Sequence, residues 1–182
     1  MYFAAIVLPV DLNERVLKQK QYMQEHYGCA VGLKSPAHIT IIPPLWMEEG
    51  RAERMVAGLD SVCSGWASFV IETTDFSAFK PRTVFIAVKG NERLNALKRE
   101  VDDLCRKNVE WGVKPENRPF HPHITIATRD LRKSSFAESW AYFERKEFRE
   151  SWLVEGVSVL KHDGRNWEVV HTSSLLSPGG GT

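Results

Sequence analysis

The tetrapeptide His38-Ile39-Thr40-Ile41 recurs residue for residue as His123-Ile124-Thr125-Ile126, 85 positions further along a chain of 182 residues. Each copy alternates polar and branched apolar side chains, the pattern of a strand with one wet and one packed face. Pro36 precedes the first copy and Pro43-Pro44 follows it, while Pro122 stands immediately before the second. These prolines bound both copies as short strands. Because strand side chains alternate, His38 and Thr40 point one way and Ile39 and Ile41 the other, and the same holds for His123 and Thr125.

The two copies occupy the same place in two similar series of elements. The first series opens with an apolar strand, Phe3 to Leu8. A helix follows through about Tyr27, with Asp11 and Glu14 spaced as an N-terminal capping signal. After the strand from His38 to Ile42 comes a helix over about Arg51–Cys63, carrying Met55, Val56 and Leu59 on one face. Two extended segments, Phe69–Phe76 and Thr83–Val88, close the series, and the second of them also opens the next pass. There a helix over Glu92–Lys107 repeats Leu94, Leu97, Val101 and Leu104 at the spacing of one buried face. The strand His123–Ala127 follows, then a helix from Ser134 to about Phe148 with Phe136, Trp140 and Phe143 on one side. Trp152–Leu160 and Trp167–His171 form a hairpin across Asp163-Gly164. Residues 1–176 are expected to make one domain, and 177–182 a flexible tail.

A chain of this length with 43% hydrophobic residues can bury one substantial core. A net charge of +1 and pI near 7.8 argue against a protein that tracks long nucleic acid, which needs a strong basic excess. A small or terminal anionic substrate fits that balance. Cys29, Cys63 and Cys105 are odd in number and lack Cys-x-x-Cys spacing, so reduced, buried thiols are expected. The apolar run from Tyr2 to Leu8 is short and has no basic leader, and no segment is long enough to span a bilayer. The expected compartment is the cytoplasm.

Two strands related by the repeat would bring two imidazoles and two hydroxyls together between the lobes, a constellation of phosphate size. Phosphodiester hydrolysis needs one group to take a proton from water and another to supply one to the leaving oxygen. Histidine titrates near neutrality, and each positioned acid or base contributes on the order of 10² to 10⁴ in rate. Threonine hydroxyls can donate to the non-bridging oxygens and stabilise the charge that develops there.

Pro36-Ala37-His38-Ile39-Thr40-Ile41 and Pro122-His123-Ile124-Thr125-Ile126, with the approach Arg118-Pro119-Phe120-His121, resemble the two-histidine (2H) phosphoesterase superfamily. Within it they are similar to the 2′-5′ RNA ligase and cyclic phosphodiesterase branch, as is the stretch Lys80-Pro81-Arg82-Thr83-Val84-Phe85. The resemblance covers nearly the whole chain. It implies a bilobal α+β fold of two pseudo-symmetric β-α-β-α-β-β halves, with facing antiparallel sheets and helices outside. It also implies turnover of 2′,3′-cyclic or 2′-5′-linked phosphates without cofactor or metal, with reverse ligation chemically allowed. His38 and His123 carry over as acid and base, Thr40 and Thr125 as phosphate-binding residues. The reading takes His123 as base and His38 as acid, although the assignment turns on how the substrate lies. Arg82, Arg118, Arg129, His121, Phe120 and Trp46 are further candidate contacts, the two aromatics as surfaces for stacking on a base. The expected partner is a small nucleotide or RNA terminus, bound by a monomer away from membranes.

Other readings compete. His121 and His123 with His38 could supply three imidazoles to zinc, but the threonines would then have no role and no carboxylate stands near to orient the ligands. A histidine-triad hydrolase would need a third histidine where Thr125 stands. A non-catalytic module that captures phosphorylated nucleotide or RNA ends is the main alternative, and turnover that is lost in His123→Ala would decide against it.

Overall fold

The computed structural model describes residues 1–177, so most of the tail expected at 177–182 lies outside the described residues. Among the described residues, eight strands and four α-helices follow one another along the chain. They are β1 (Tyr2–Val7), α1 (Val10–Tyr27), β2 (His38–Leu45), α2 (Glu49–Cys63), β3 (Phe69–Phe79), β4 (Thr83–Val88), α3 (Glu92–Lys107), β5 (His123–Ala127), α4 (Lys133–Phe143), β6 (Ser151–Val154), β7 (Gly156–His162) and β8 (Trp167–Ser174). The strands form a curled antiparallel sheet in the order β6-β3-β4-β5-β2-β1-β7-β8. Its two halves, β2-β1-β7-β8 and β5-β4-β3-β6, are joined where β2 pairs with β5 at Ile39 and Ile124. The α+β, two-lobed architecture is the one expected.

The division of strands between the lobes differs from two successive passes. β3, from the first pass, pairs with β4 and β6 in the second lobe, while β7 and β8 complete the first lobe beside β1. The segment expected as one strand from Trp152 to Leu160 is accordingly broken at Glu155, with β6 given to β3 and β7 to β1. Period-2 alternation carries through such a break and does not reveal that the partner changes.

Element ends moved where tertiary pairing outweighs local signals. The Asp11/Glu14 capping signal is not used; α1 begins at Val10 with Pro9 at the N-cap position, and its end is closed by Gly28 at φ 70. A left-handed residue there suits glycine and terminates the helix. Among the described residues only α3 has its N-cap satisfied by a side chain, Asn91 accepting from the Leu94 amide. β2 runs on through Pro43-Pro44, and α4 stops at Phe143 because Phe148 is drawn into bonds with Asp75 and Thr73 of β3.

The helices cover one face of the sheet. Ile39, Ile41, Ile124 and Ile126 point into that core, each no more than 1% exposed, with Met23, Met55, Leu59, Leu97 and Val101 of the helices. Phe3, Ala5 and Leu160 form a separate small cluster with Val7 and Trp167 on the opposite face. All three cysteines are free and buried, and burial pushes each thiol up to about 11. Among the described residues no helix is long and apolar enough to cross a membrane.

Candidate active site

Ile39 and Ile124 face each other across the joint between the lobes. Carrying that antiparallel register one residue either way sets His38 beside Thr125 and Thr40 beside His123, all four on the face away from the helices. Directly opposed residues of such a pair stand about 5 Å apart at Cβ and diagonal ones roughly 7–8 Å. The two histidines lie on a diagonal of this pairing. Both rings are half-buried.

The two imidazoles are held alike. His38 Nδ1 is 2.7 Å from the carbonyl oxygen of Pro36, and His123 Nδ1 is 2.7 Å from that of His121. A carbonyl only accepts, so each Nδ1 carries the proton and each neutral ring keeps its lone pair on Nε2. Burial pushes the His38 imidazolium down to about 4; its bond to Pro36 offsets part of that fall, and the positive charges of Lys20 and His123 add to it. His123 is lowered too, chiefly by burial, with His121 contributing. Both rings therefore rest neutral in the free protein at pH 7.

Each histidine also has a phenylalanine from the opening strand of its pass. Phe3 of β1 lies 4.9 Å from His38 between ring centroids, and Phe85 of β4 lies 5.1 Å from His123. Beyond them Trp167 meets Phe3 edge-on at 4.7 Å, and Phe79 lies 4.3 Å from Phe85 and 5.3 Å from His123. Sequence reading missed this aromatic floor. A phenylalanine stands near the start of each opening strand, second in YFAAIV and third in TVFIAV, but Phe79 and Trp167 reach the site from strands whose pairing the repeat does not disclose.

The remaining candidates divide. His121 is exposed, 6.2 Å from His123 between centroids and 5.2 Å from Phe79, so it borders the site. Phe120 is half-buried under the Lys98 ammonium, 5.6 Å from its ring. Arg82, in the β3–β4 turn, and Arg129, after β5, flank the Thr125 end, where Thr83 and Thr128 hydroxyls meet at 3.2 Å. Both arginines are exposed and in no ion pair among the described residues. Arg118 is exposed and turned onto Glu116 at 3.3 Å. Trp46 does not fit its expected role. It is 81% exposed and stands eight residues along the chain from His38, roughly 25 Å of extended strand. Proximity in sequence is distance in space along a strand. Among the described residues no three His, Cys, Asp or Glu side chains come close enough to hold a metal ion.

The family model of the 2′-5′ RNA ligase superfamily matches residues 10–166. A Geobacillus kaustophilus protein assigned by name to the phosphoesterases is 24% identical over 174 residues, 94% of each chain. The RNA 2′,3′-cyclic phosphodiesterase of Bacillus subtilis is 26% identical over 103 residues, 54% of this chain and 55% of its own. Escherichia coli LigT, solved with 3′-AMP, superposes with a TM-score of 0.67 at 18% identity, covering 96% of this chain and 97% of its own.

Proposed function

The chain belongs to the 2′-5′ RNA ligase superfamily, and on that premise we propose that it is a phosphodiesterase that opens 2′,3′-cyclic or 2′-5′-linked nucleotide phosphodiesters by two-histidine acid/base catalysis. The observation that carries this reading is the pairing at Ile39 and Ile124, which sets two equally tautomerised histidines and two threonines on one face. One Nε2 takes a proton from the attacking water while the other gives one to the departing ribose oxygen. Thr40 and Thr125 donate to the non-bridging oxygens as charge builds on them. Binding the anion raises the affinity of the nearby rings for protons, which supplies the charged acid that the free protein lacks. The same acid and base run the reaction in reverse, so ligation is within the site's chemistry and water favours hydrolysis. An RNA terminus or a small nucleotide fits the modest net charge of +1.

The likeness to the Bacillus subtilis RNA 2′,3′-cyclic phosphodiesterase supports the cyclic phosphate as substrate class. The test is hydrolysis of a panel of nucleoside 2′,3′-cyclic phosphates in excess EDTA by wild type, His38→Ala and His123→Ala. Turnover that survives chelation and falls at least about a hundredfold in each variant is the expected result. Loss of activity on chelation would replace this scheme with a metal-dependent one. No turnover by wild type would favour a module that binds phosphorylated ends without cleaving them.

A further inference from the structure

The residues just ahead of the first motif form one wall of a cavity that the acid/base chemistry above does not use. The cavity holds about 240 Å³ and lies between the first half of α1, the Leu33–Pro36 approach to β2 and the tip of the β7–β8 hairpin. Asn13, Lys20, Lys34, Asn166 and Trp167 line it, and no carboxylate does. Lys20 is 4% exposed and makes no ion pair among the described residues, its ammonium donating to the Ser35 carbonyl at 3.0 Å. That single neutral acceptor leaves most of the donor capacity of an ammonium unused. Asp130 is near the same turn but its Oδ2 accepts from the amides of Ala30 and Val31, at 2.7 and 2.8 Å.

A charge taken out of water is costly unless a counter-charge or a full set of acceptors replaces its hydration. Burial accordingly pushes the Lys20 ammonium down to about 8. Lys98, on the helix that follows the opening strand of the second pass, is by contrast closed onto Asp102. Asn13 accepts the Ala37 N–H on its Oδ1 at 2.6 Å, so its NH2 group is what it has left to offer. With Lys34 and Asn166 exposed at the rim, the lining is made of donors and positive charge, which selects an anion. The volume is below the roughly 300–1,000 Å³ of pockets that enclose a drug-sized molecule. It suits a phosphate group and not a whole nucleotide.

The cavity adjoins the histidine face. Trp167, in its wall, meets Phe3 edge-on at 4.7 Å, and Phe3 lies 4.9 Å from His38. The Trp167 and His38 rings are therefore within about 10 Å of each other, the reach of roughly three extended residues. Pro36 lines the cavity as well, and its carbonyl is the acceptor that holds His38 Nδ1. We propose that this cavity is a second phosphate site, in which Lys20, Lys34 and Asn166 hold the phosphate on the 5′ side of the nucleotide whose 2′,3′-cyclic phosphate is opened. This rests on the phosphodiesterase reading above. The cyclic phosphate occupies both the 2′ and the 3′ oxygen, so a neighbouring phosphate on the same ribose must be attached at O5′. It brings the counter-charge that Lys20 lacks within the fold. The favoured substrate is then a cyclic end that carries a 5′-phosphate or an upstream nucleotide, not a bare nucleoside cyclic phosphate.

The experiment compares adenosine 2′,3′-cyclic phosphate with the same compound phosphorylated at O5′. In wild type the added phosphate is expected to lower KM at least about tenfold. Lys20→Met and Lys34→Glu should each remove most of that advantage, whereas Lys107→Glu, the same change of charge at an exposed position of α3, should keep it. Lys34 is exposed, so its variant tests the site even if Lys20→Met fails to fold. Equal KM values for the two compounds in wild type, or an advantage that survives both cavity substitutions, would overturn the proposal. A second measurement follows the Asn166 and Trp167 amide signals by NMR while inorganic phosphate is added. Both signals should move in wild type and stay in place in Lys34→Glu; no movement in wild type would overturn the site. Movement without any KM advantage would make the cavity a site for free phosphate and overturn the substrate assignment. Should wild type turn over neither compound, the phosphodiesterase reading falls, and a titration of the same signals with adenosine 5′-phosphate still decides whether the cavity binds a nucleotide's 5′-phosphate.

Discussion

Phe79 is the aromatic side chain that the structure puts where Trp46 was expected. It is 43% exposed, beside both His121 and His123, and packed on Phe85, so part of its ring remains open next to the motif histidine. Stacking of a base on an aromatic ring contributes about 1–3 kcal/mol. Phe79→Ala is therefore expected to raise KM for a nucleoside 2′,3′-cyclic phosphate about tenfold or more with kcat little changed, as steady-state kinetics would show. Unchanged KM would remove Phe79 from the substrate's path. The four motif residues were legible from sequence because alternation alone puts His and Thr on one face of each strand. Phe79 was not, because its strand was expected to end at Phe76 and its ring neighbours come from β4 and from the approach to β5.

At the scale of elements, the joint between lobes is held from the helix side by a 3₁₀ turn at Val31–Lys34. Its first amides are tied to Asp130 just after β5, and Gly32 lies so close to that strand that an added Cβ would stand 2.6 Å from the Ile126 carbonyl oxygen. Backbone cannot yield as a flexible side-chain tip can, so Gly32→Ala is expected to cost about 1–3 kcal/mol. For a chain of this size that lowers the Tm by roughly 2–12 °C, readable by thermal denaturation. An unchanged Tm would mean that the turn can lift off β5 freely. Nothing in the sequence marks Gly32 as a contact, since its partner is 94 positions away. The α3 face was legible, because Leu94, Leu97 and Val101 recur at helical spacing and all three are buried.

For the molecule as a whole, the exchange of β3 against β7 and β8 means that neither lobe is a contiguous piece of chain. The site at the joint then depends on the global fold, and one of its own groups opposes that fold in acid. His38 titrates at 6.5 when unfolded and about 4 when folded. Above pH 6.5 both states are neutral there and no stability is lost. As pH falls from 6.5 towards 4 only the unfolded chain gains the proton, so stability drops by about 1.4 kcal/mol per unit, roughly 3 kcal/mol in total. Denaturant unfolding at pH 7 and pH 4 is expected to show a loss in wild type larger by about 2–3 kcal/mol than in His38→Ala, since carboxylates contribute alike to both. Equal losses would show that the folded ring protonates freely. The sequence by itself carried most of the strands and helices, the repeat, the four candidate residues on one face and the family resemblance, because these follow from local alternation, helical period and an identical motif. Which strand joins which lobe and which aromatics lie against the two histidines were decided by tertiary structure alone, because each is a relation between residues far apart along the chain.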